Sequence, residues 1–119
     1  MSATILLVDD DEIVRRLLGR VLRARGYTVL EAGSGEAAES LCRERAVDLV
    51  VSDVCMSGKT GPQLGVCLRQ SAPQLPLLYI SGYPETHAQV GPMGDGYSFL
   101  SKPFTPERFL SRVRDLLPV

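Results

Sequence analysis

The sequence is poor in the residues that most often carry catalysis or zinc binding. It has no tryptophan, one histidine (His87) and three cysteines, Cys42, Cys55 and Cys67, in 119 residues. Their odd number and spacing predict neither a disulfide framework nor a metal site, and no motif couples the histidine to a cysteine for catalysis. We therefore interpret the cysteines as reduced thiols of a cytoplasmic protein.

Long apolar runs and an excess of either charge are also absent. No apolar stretch approaches the roughly 20 residues that a membrane-spanning helix needs, and no basic region followed by an apolar one marks a signal peptide. The net charge of −1 leads us to expect no direct binding to nucleic acid or to a membrane. Length and a 45% hydrophobic content predict one globular domain over residues 1–119.

Short β-rich runs alternate with segments of helical spacing, which is typical of a parallel α/β sheet. The runs cover residues 4–8, 27–31, 48–52, 77–80 and 98–100. The first and third are almost wholly apolar, as strands covered on both faces are. We predict an α/β fold with a doubly wound, five-stranded parallel sheet and helices on both faces.

Three of the intervening segments carry apolar stripes at the helical period. Gly26 would end the first helix, and Thr105 with Pro106 would begin the last as N-cap and first helical residue. A further helix is expected at about 63–70, and the Gly- and Pro-rich segment 83–96 predicts at most a short or mobile helix. The three stripes are Ile13, Val14, Leu17, Leu18, Val21 and Leu22; Ala37, Ala38, Leu41 and Cys42; and Phe109, Leu110, Val113, Leu116 and Leu117.

Polar side chains follow four of the predicted strands. Asp9 and Asp10 come after the first strand, Asp53 after the third, Ser81 after the fourth and Lys102 shortly after the fifth. The carboxyl ends of parallel strands share one edge, where ligands of doubly wound sheets bind, so these residues can meet. Three carboxylates in a partly dry cleft repel one another unless one takes a proton or a cation lies among them. Oxygen ligands suit a hard ion such as magnesium.

This arrangement predicts phosphoryl chemistry. With the ion bound, the Asp53 carboxylate can act as a nucleophile toward phosphorus, and the metal neutralises charge on the transferring oxygens. Lys102 would supply a second positive charge, and the Ser81 hydroxyl could donate to another oxygen. The next two acids, Asp11 and Glu12, are assigned to the dipole of the following helix.

Four blocks of sequence resemble the successive signatures of the response-regulator receiver family of two-component signalling. They are ILLVDDDEIVRRLL, VDLVVSDVCMSGKTG, YISGYPE and FLSKPFTPERFLSRVRDLL, and the resemblance runs from Ile5 to Leu117. It implies a flavodoxin-like strand order of 2-1-3-4-5. It also implies that Asp53 is the phosphoacceptor, that Ser81 and Phe99 are the switch residues, and that Lys102 is the family's lysine before a proline.

The resemblance further implies a metal site for Mg²⁺ or Mn²⁺. Asp10 would be the more direct ligand beside Asp53, Asp9 would act largely through water, and Cys55 would contribute its main-chain carbonyl. Ser57 departs from the family, which usually has a proline at that position.

The resemblance names partners as well. The phosphoryl group would come from the phosphohistidine of a sensor histidine kinase or a histidine phosphotransfer protein. Phosphorylation would switch the surface of the fourth and fifth helical segments and the fifth strand, which in this family often forms homodimers. The Gly- and Pro-rich segment resembles receivers attached to sensor kinases, so a hybrid kinase is one source. Because no effector domain follows Val119, we expect a stand-alone regulator or a piece of a longer chain.

The main alternative is a degenerate receiver that only binds other proteins. The complete acid, serine and lysine set argues against it. A turnover aspartyl phosphatase would need an Asp-x-Asp motif and a cap domain, and a flavin site would need hydroxyls and amides in the acidic first loop. The GKTG at 58–61 is no Walker loop, because Asp53 stands where its first glycine belongs. We expect no enzyme beyond catalysis of its own phosphorylation and dephosphorylation.

Overall fold

The computed structural model describes residues 3–56, 58–82 and 97–117. The segment predicted as a loose helix at 83–96, with His87, and the Ser57 position lie outside the described residues. Within them lie five strands and four helices, which alternate from β1 to β4. The strands are β1 (Thr4–Val8), β2 (Thr28–Ala32), β3 (Leu49–Asp53), β4 (Leu77–Ser81) and β5 (Tyr97–Ser101), and the helices are α1 (Glu12–Arg23), α2 (Gly35–Glu44), α3 (Gly61–Ser71) and α4 (Pro106–Leu116).

All strands are parallel, in the order β2-β1-β3-β4-β5. The prediction of fold and strand order is confirmed. The chain runs from β1 outward to β2 and then returns to place β3 on the other side of β1. The winding direction therefore reverses between β1 and β3, and a crevice opens there at the carboxyl edge of the sheet.

Side chains of the central strands alternate between two separate apolar cores. Ile5 and Leu7 lie in the core that α1 and α4 cover, whereas Leu6 and Val8 lie in the core that α2 and α3 cover. All four are at most 1% exposed. Burial on both faces explains why the β1 sequence is continuously apolar instead of alternating.

Side-chain caps fix where the helices begin. The Asp11 carboxylate accepts from the main-chain amides of Ile13 and Val14, so this acid serves the helix as predicted. Thr60 and Gln63 form a capping box at α3, and Thr105 caps α4 with Pro106 at its first position. Within the described residues, no helix is long and apolar enough to cross a bilayer.

Two details differ from the sequence prediction. β2 and β3 each begin and end one residue later, and β4 and β5 extend to Ser81 and Ser101, because the ladder pairs Asp53 with Ile80 and Ser81 with Ser101. The α1 stripe is too wide, since Ile13 is 80% and Leu17 59% exposed. Gly19 is buried on the inner face instead, close to the Glu31 side chain of β2.

Candidate functional site at the carboxyl edge

The structure brings the polar residues of the strand ends together. We call Asp9, Asp10, Asp53, Ser81 and Lys102 the carboxyl-edge cluster. Lys102 Nζ lies 3.4 Å from Asp53 Oδ2, although 49 residues separate them in sequence. The Lys102 main-chain amide donates to the Ser81 carbonyl at 2.8 Å, which joins the ends of β4 and β5. The parallel register thus places the Asp53 carboxylate, Ser81 and the Lys102 ammonium at one edge of the sheet.

Asp9 shows that the acids of this cluster interact. It is 2% exposed, and its Oδ1 accepts from the Asp11 amide at 2.9 Å. Burial raises the pKa of Asp9, and the charges of Asp53 and Asp10 raise it further, against the lowering effects of the Asp11 amide and of Lys102. The fold therefore holds negative charges near one another at a cost, which a bound cation would relieve.

The Asp53 side chain is 14% exposed, which leaves it accessible from the crevice. Its Oδ1 accepts from the Cys55 amide at 3.0 Å, and its Oδ2 faces Lys102. The first residue of α3, Gly61, packs on the Asp53 carbonyl so tightly that an added Cβ would collide with it. Asp53 is thus held at both its carboxylate and its main chain.

The donors of the cluster fit a hard cation. Asp10 is exposed at the start of the loop after β1, and Asp53 keeps part of its side chain accessible at the end of β3. In the part of the chain that the structure describes, no three Asp, Glu, His or Cys side chains converge as a complete ligand set. The predicted set differs from such a group, because Cys55 would contribute its main-chain carbonyl and Asp9 a water-mediated contact. Carboxylate, carbonyl and water oxygens are the ligands that Mg²⁺ prefers.

The predicted switch aromatic is half-buried. The rings of Phe99 and Tyr79 are tilted at 37° with centroids 5.7 Å apart. The Phe99 carbonyl accepts from Arg112 Nη1 of α4 at 2.8 Å, and the same nitrogen donates to Ser98 Oγ. The fifth strand and the last helix are therefore bonded at this position.

One contact to the cluster was missed in the sequence. Arg15 Nη1 donates to the Asp9 carbonyl at 2.8 Å, and its Nε pairs with Glu31 of β2. A carboxylate inside a strand was the available signal, because such a charge needs a partner when it is partly buried. Periodicity could not reveal that partner, since Arg15 is an ordinary polar position of α1.

The comparison with known families decides the assignment. The family described as "Response regulator receiver domain" matches residues 5–114. The chain belongs to the response regulator receiver family. Receivers of this family act in two-component systems, and phosphorylation and Mg²⁺ binding are typical of them. The resemblance seen in the sequence is confirmed.

Similar receivers occur in proteins of different build. The chain is 41% identical to the sensor kinase CckA of Brucella abortus, in a match that covers 98% of this chain and 13% of the kinase. It is 39% identical to the response regulator MprA of Mycobacterium ulcerans, in a match that covers 98% of this chain and 51% of the regulator. The receiver domain of the hybrid histidine kinase CckA superposes with a TM-score of 0.83 at 38% identity, covering 98% of this chain and 100% of that one. The chemotaxis protein CheY4 of Vibrio cholerae gives 0.89 at 28% identity, with the same coverage.

Proposed function

We propose that this receiver is a phosphoacceptor module that takes a phosphoryl group onto Asp53. The observation that carries the proposal is the 3.4 Å approach of Lys102 Nζ to Asp53 Oδ2 beside the buried acid Asp9. An ammonium next to a carboxylate nucleophile is placed to stabilise the charge of a transferring phosphoryl group. Family membership supports the same chemistry.

The positions of these groups support the following transfer step. An Asp53 oxygen attacks phosphorus, the bond from phosphorus to the donor's imidazole nitrogen breaks, and its electron pair stays on that nitrogen. Lys102 then lies next to the phosphoryl oxygens, and the Ser81 hydroxyl donates to another of them. Attack by water on phosphorus later returns the Asp53 carboxylate and releases inorganic phosphate.

Asp10, Asp53 and the Cys55 carbonyl would hold Mg²⁺ or Mn²⁺, with Asp9 acting through water. When bound, the ion would neutralise charge on the transferring oxygens. Asp9 and Asp10 lie side by side in the loop that follows β1, so their negative charges would favour a cation there. Cys55 contributes with its main chain, which agrees with an exposed thiol side chain.

The partner we propose is the phosphohistidine of a sensor histidine kinase or a histidine phosphotransfer protein. Phosphorylation would draw Ser81 toward the new group and let Phe99 follow, which changes a surface that includes β5 and α4 and can also form homodimers. The three free thiols favour a reducing compartment, so we place the domain in the cytoplasm. Such a module catalyses its own phosphorylation and dephosphorylation without being a turnover enzyme.

The test is incubation with a small phosphodonor and Mg²⁺, followed by intact mass measurement. We expect a single phosphoryl adduct that survives acid and is lost in base, as an acyl phosphate is. Asp53→Asn should give no adduct, and omission of Mg²⁺ should suppress it. Asp48→Asn is the matched control, because this exposed acid lies at the other end of β3 and should leave the adduct unchanged. Absence of an adduct in the wild type would indicate a pure interaction module instead.

A further inference from the structure

Three side chains form a chain of ion pairs between α1 and β2. Glu31 accepts from Arg15 Nε through Oε1 at 3.2 Å and from Arg23 Nη2 through Oε2 at 3.0 Å. Arg23 also donates to the Val29 carbonyl on the free edge of β2. We call Arg15, Glu31 and Arg23 the bracket. The side chains of Arg15 and Glu31 are 17% and 23% exposed, so both are largely withdrawn from solvent.

The bracket ends at the loop between β1 and α1, residues 9–11, which we call the acidic loop. Arg15 Nη1 donates to the carbonyl of Asp9 at 2.8 Å, and that carbonyl belongs to the peptide joining Asp9 to Asp10. The Asp9 amide donates to the Ala32 carbonyl at 3.1 Å, and Asp9 Oδ1 accepts from the Asp11 amide. Fixing the amide, the carbonyl and the side chain of Asp9 determines the direction in which Asp10 leaves the strand.

Two glycines leave the space that the bracket occupies. A Cβ on Gly33 would lie 3.1 Å from Arg15 Nη1, and a Cβ on Gly19 would lie 3.1 Å from Arg23 Nη1 and 3.3 Å from Glu31 Oε2. Gly19 lies inside α1, where glycine is less favourable than alanine. Neither glycine has a positive φ, so a backbone need does not explain them. The space that the side chains of the bracket need explains both glycines.

We propose that Arg15 is a positioning residue for the metal-binding loop, acting through the main chain of Asp9 and oriented by Glu31. The inference rests on the proposed function, since it concerns the acids that would hold Mg²⁺. Hydrogen-bonded groups behind metal ligands set ligand direction and thereby affinity. Arg15 suits the task because its guanidinium presents several donors in a rigid plane, so it can bond the carbonyl and the carboxylate at once.

The neighbouring arginine provides the matched control. Arg16 pairs with Glu12 one turn earlier on α1 at 2.7 Å, with side chains 70% and 59% exposed. That contact is shorter than the Arg15–Glu31 pair, but none of the hydrogen bonds described for it reaches the acidic loop. If proximity to an acid were all that mattered, the two arginines would be equivalent.

The experiment measures Mn²⁺ affinity of the unphosphorylated protein by electron paramagnetic resonance, together with melting temperature. Arg15→Lys keeps the charge but has one donor nitrogen for two acceptors, so we expect Mn²⁺ binding about tenfold weaker. Glu31→Gln should weaken it in the same direction, by less. Arg16→Lys should bind Mn²⁺ as the wild type does. If Arg15→Lys does not melt cooperatively, Glu31→Gln carries the test, because it leaves Arg15 in place.

A second readout separates positioning from general damage. The rate of phosphorylation by a small phosphodonor is measured against Mg²⁺ concentration. We expect Arg15→Lys to raise the Mg²⁺ concentration for half-maximal rate while the rate at saturation stays near that of the wild type. The double variant Arg15→Lys, Glu31→Gln should be no worse than Arg15→Lys, because both changes break the same path.

Equal Mn²⁺ affinity in Arg15→Lys, Glu31→Gln and Arg16→Lys would overturn the inference. So would a fall in saturated rate with no change in Mg²⁺ dependence. These outcomes differ from failure of the proposed function, which would appear as a wild type that binds Mn²⁺ without ever becoming phosphorylated.

Discussion

The chain has two lysines, and each faces a carboxylate in a different kind of surrounding. Lys59 donates to Glu39 at 2.9 Å and to the Cys67 sulfur at 3.5 Å, between α2 and α3. Lys102 lies 3.4 Å from Asp53 at the carboxyl edge. One pair is short and joins α2 to the loop before α3, whereas the other is longer and opens to a crevice.

The two regions also differ in charge balance. Lys59 lowers the pKa of Glu39, as expected where a carboxylate has its own cation. At the carboxyl edge, burial and two further carboxylates raise the pKa of Asp9 despite Lys102. A carboxylate with its own cation serves to join two elements of the fold. Acids that outnumber the nearby cations, as at the carboxyl edge, indicate a site for an additional positive group.

The largest expected effect is on the phosphorylation rate when the Lys102 ammonium is removed. Lys102→Ala should lower the rate of phosphorylation by a small phosphodonor about a hundredfold or more, because the ammonium stabilises charge on the transferring oxygens. Lys59→Ala should leave that rate unchanged, since its ammonium contacts Glu39 and Cys67 instead of Asp53. Adduct formation over time, followed by intact mass, measures both. An equal fall in phosphorylation rate in the two variants would mean that the two lysines do not differ in function.

Gly61 lies against the carboxyl-edge cluster and Gly35 lies against Lys59, so the two regions can also be compared by the stability of their glycine variants. A Cβ on Gly61 would collide with the Asp53 carbonyl, whereas a Cβ on Gly35 would lie 3.0 Å from the Cβ of Lys59, which is close but no collision with main chain. We expect Gly61→Ala to lower the free energy of unfolding by about 1–3 kcal/mol, as overpacking does when main chain must shift. Gly35→Ala should lower it less, because the contact with Lys59 is longer than the one with the Asp53 carbonyl and alanine favours the helix. Urea unfolding of both variants checks this order.

Removing one charge of the carboxyl-edge cluster should stabilise the metal-free protein at neutral pH. The pKa of Asp9 is raised in the folded state, so ionisation costs stability as pH rises from the unfolded pKa through the folded one. Asp9→Asn avoids that loss, and its melting temperature in chelator should exceed that of the wild type at pH 7. The difference should vanish at acidic pH, where Asp9 is protonated in both states. A less stable variant at pH 7 would contradict this.

The smallest effect is expected at the Lys59 pair. Glu39→Gln should lower the melting temperature slightly, and added salt should reduce the difference, because the pair is partly exposed and therefore screened. The phosphorylation rate should not change. A large change in rate would mean that the loop after β3 depends on this pair and would join the two regions functionally.

Much of the fold could be predicted because it depends on local signals. Continuous apolar runs identified β1 and β3 as strands buried on both faces, and Thr105 with Pro106 marked the start of α4. The outer positions of α1 were wrong, since Ile13 and Leu17 are exposed. Helical periodicity does not show which edge of a wide apolar stripe faces the sheet. Here the Glu31 side chain of β2 lies against part of the inner face of α1, at Gly19.

The site was predictable to the extent that topology determines it. Acids after apolar parallel strands must share an edge, so the meeting of Asp53 with Lys102 followed from strand order. The support behind Asp9 did not, because Arg15 and Glu31 find each other only once α1 lies on β2. Long-range polar contacts of this kind depend on packing angles that local sequence does not encode.

The most direct measurement is to identify the phosphorylated residue by reducing the acyl phosphate with borohydride and mapping the product by peptide mass spectrometry. We expect residue 53 to be recovered as homoserine after treatment with phosphodonor and Mg²⁺, with Asp9, Asp10 and Asp48 recovered unchanged. Homoserine at any of those three positions, or a phosphoryl group on a serine or on His87, would contradict the account.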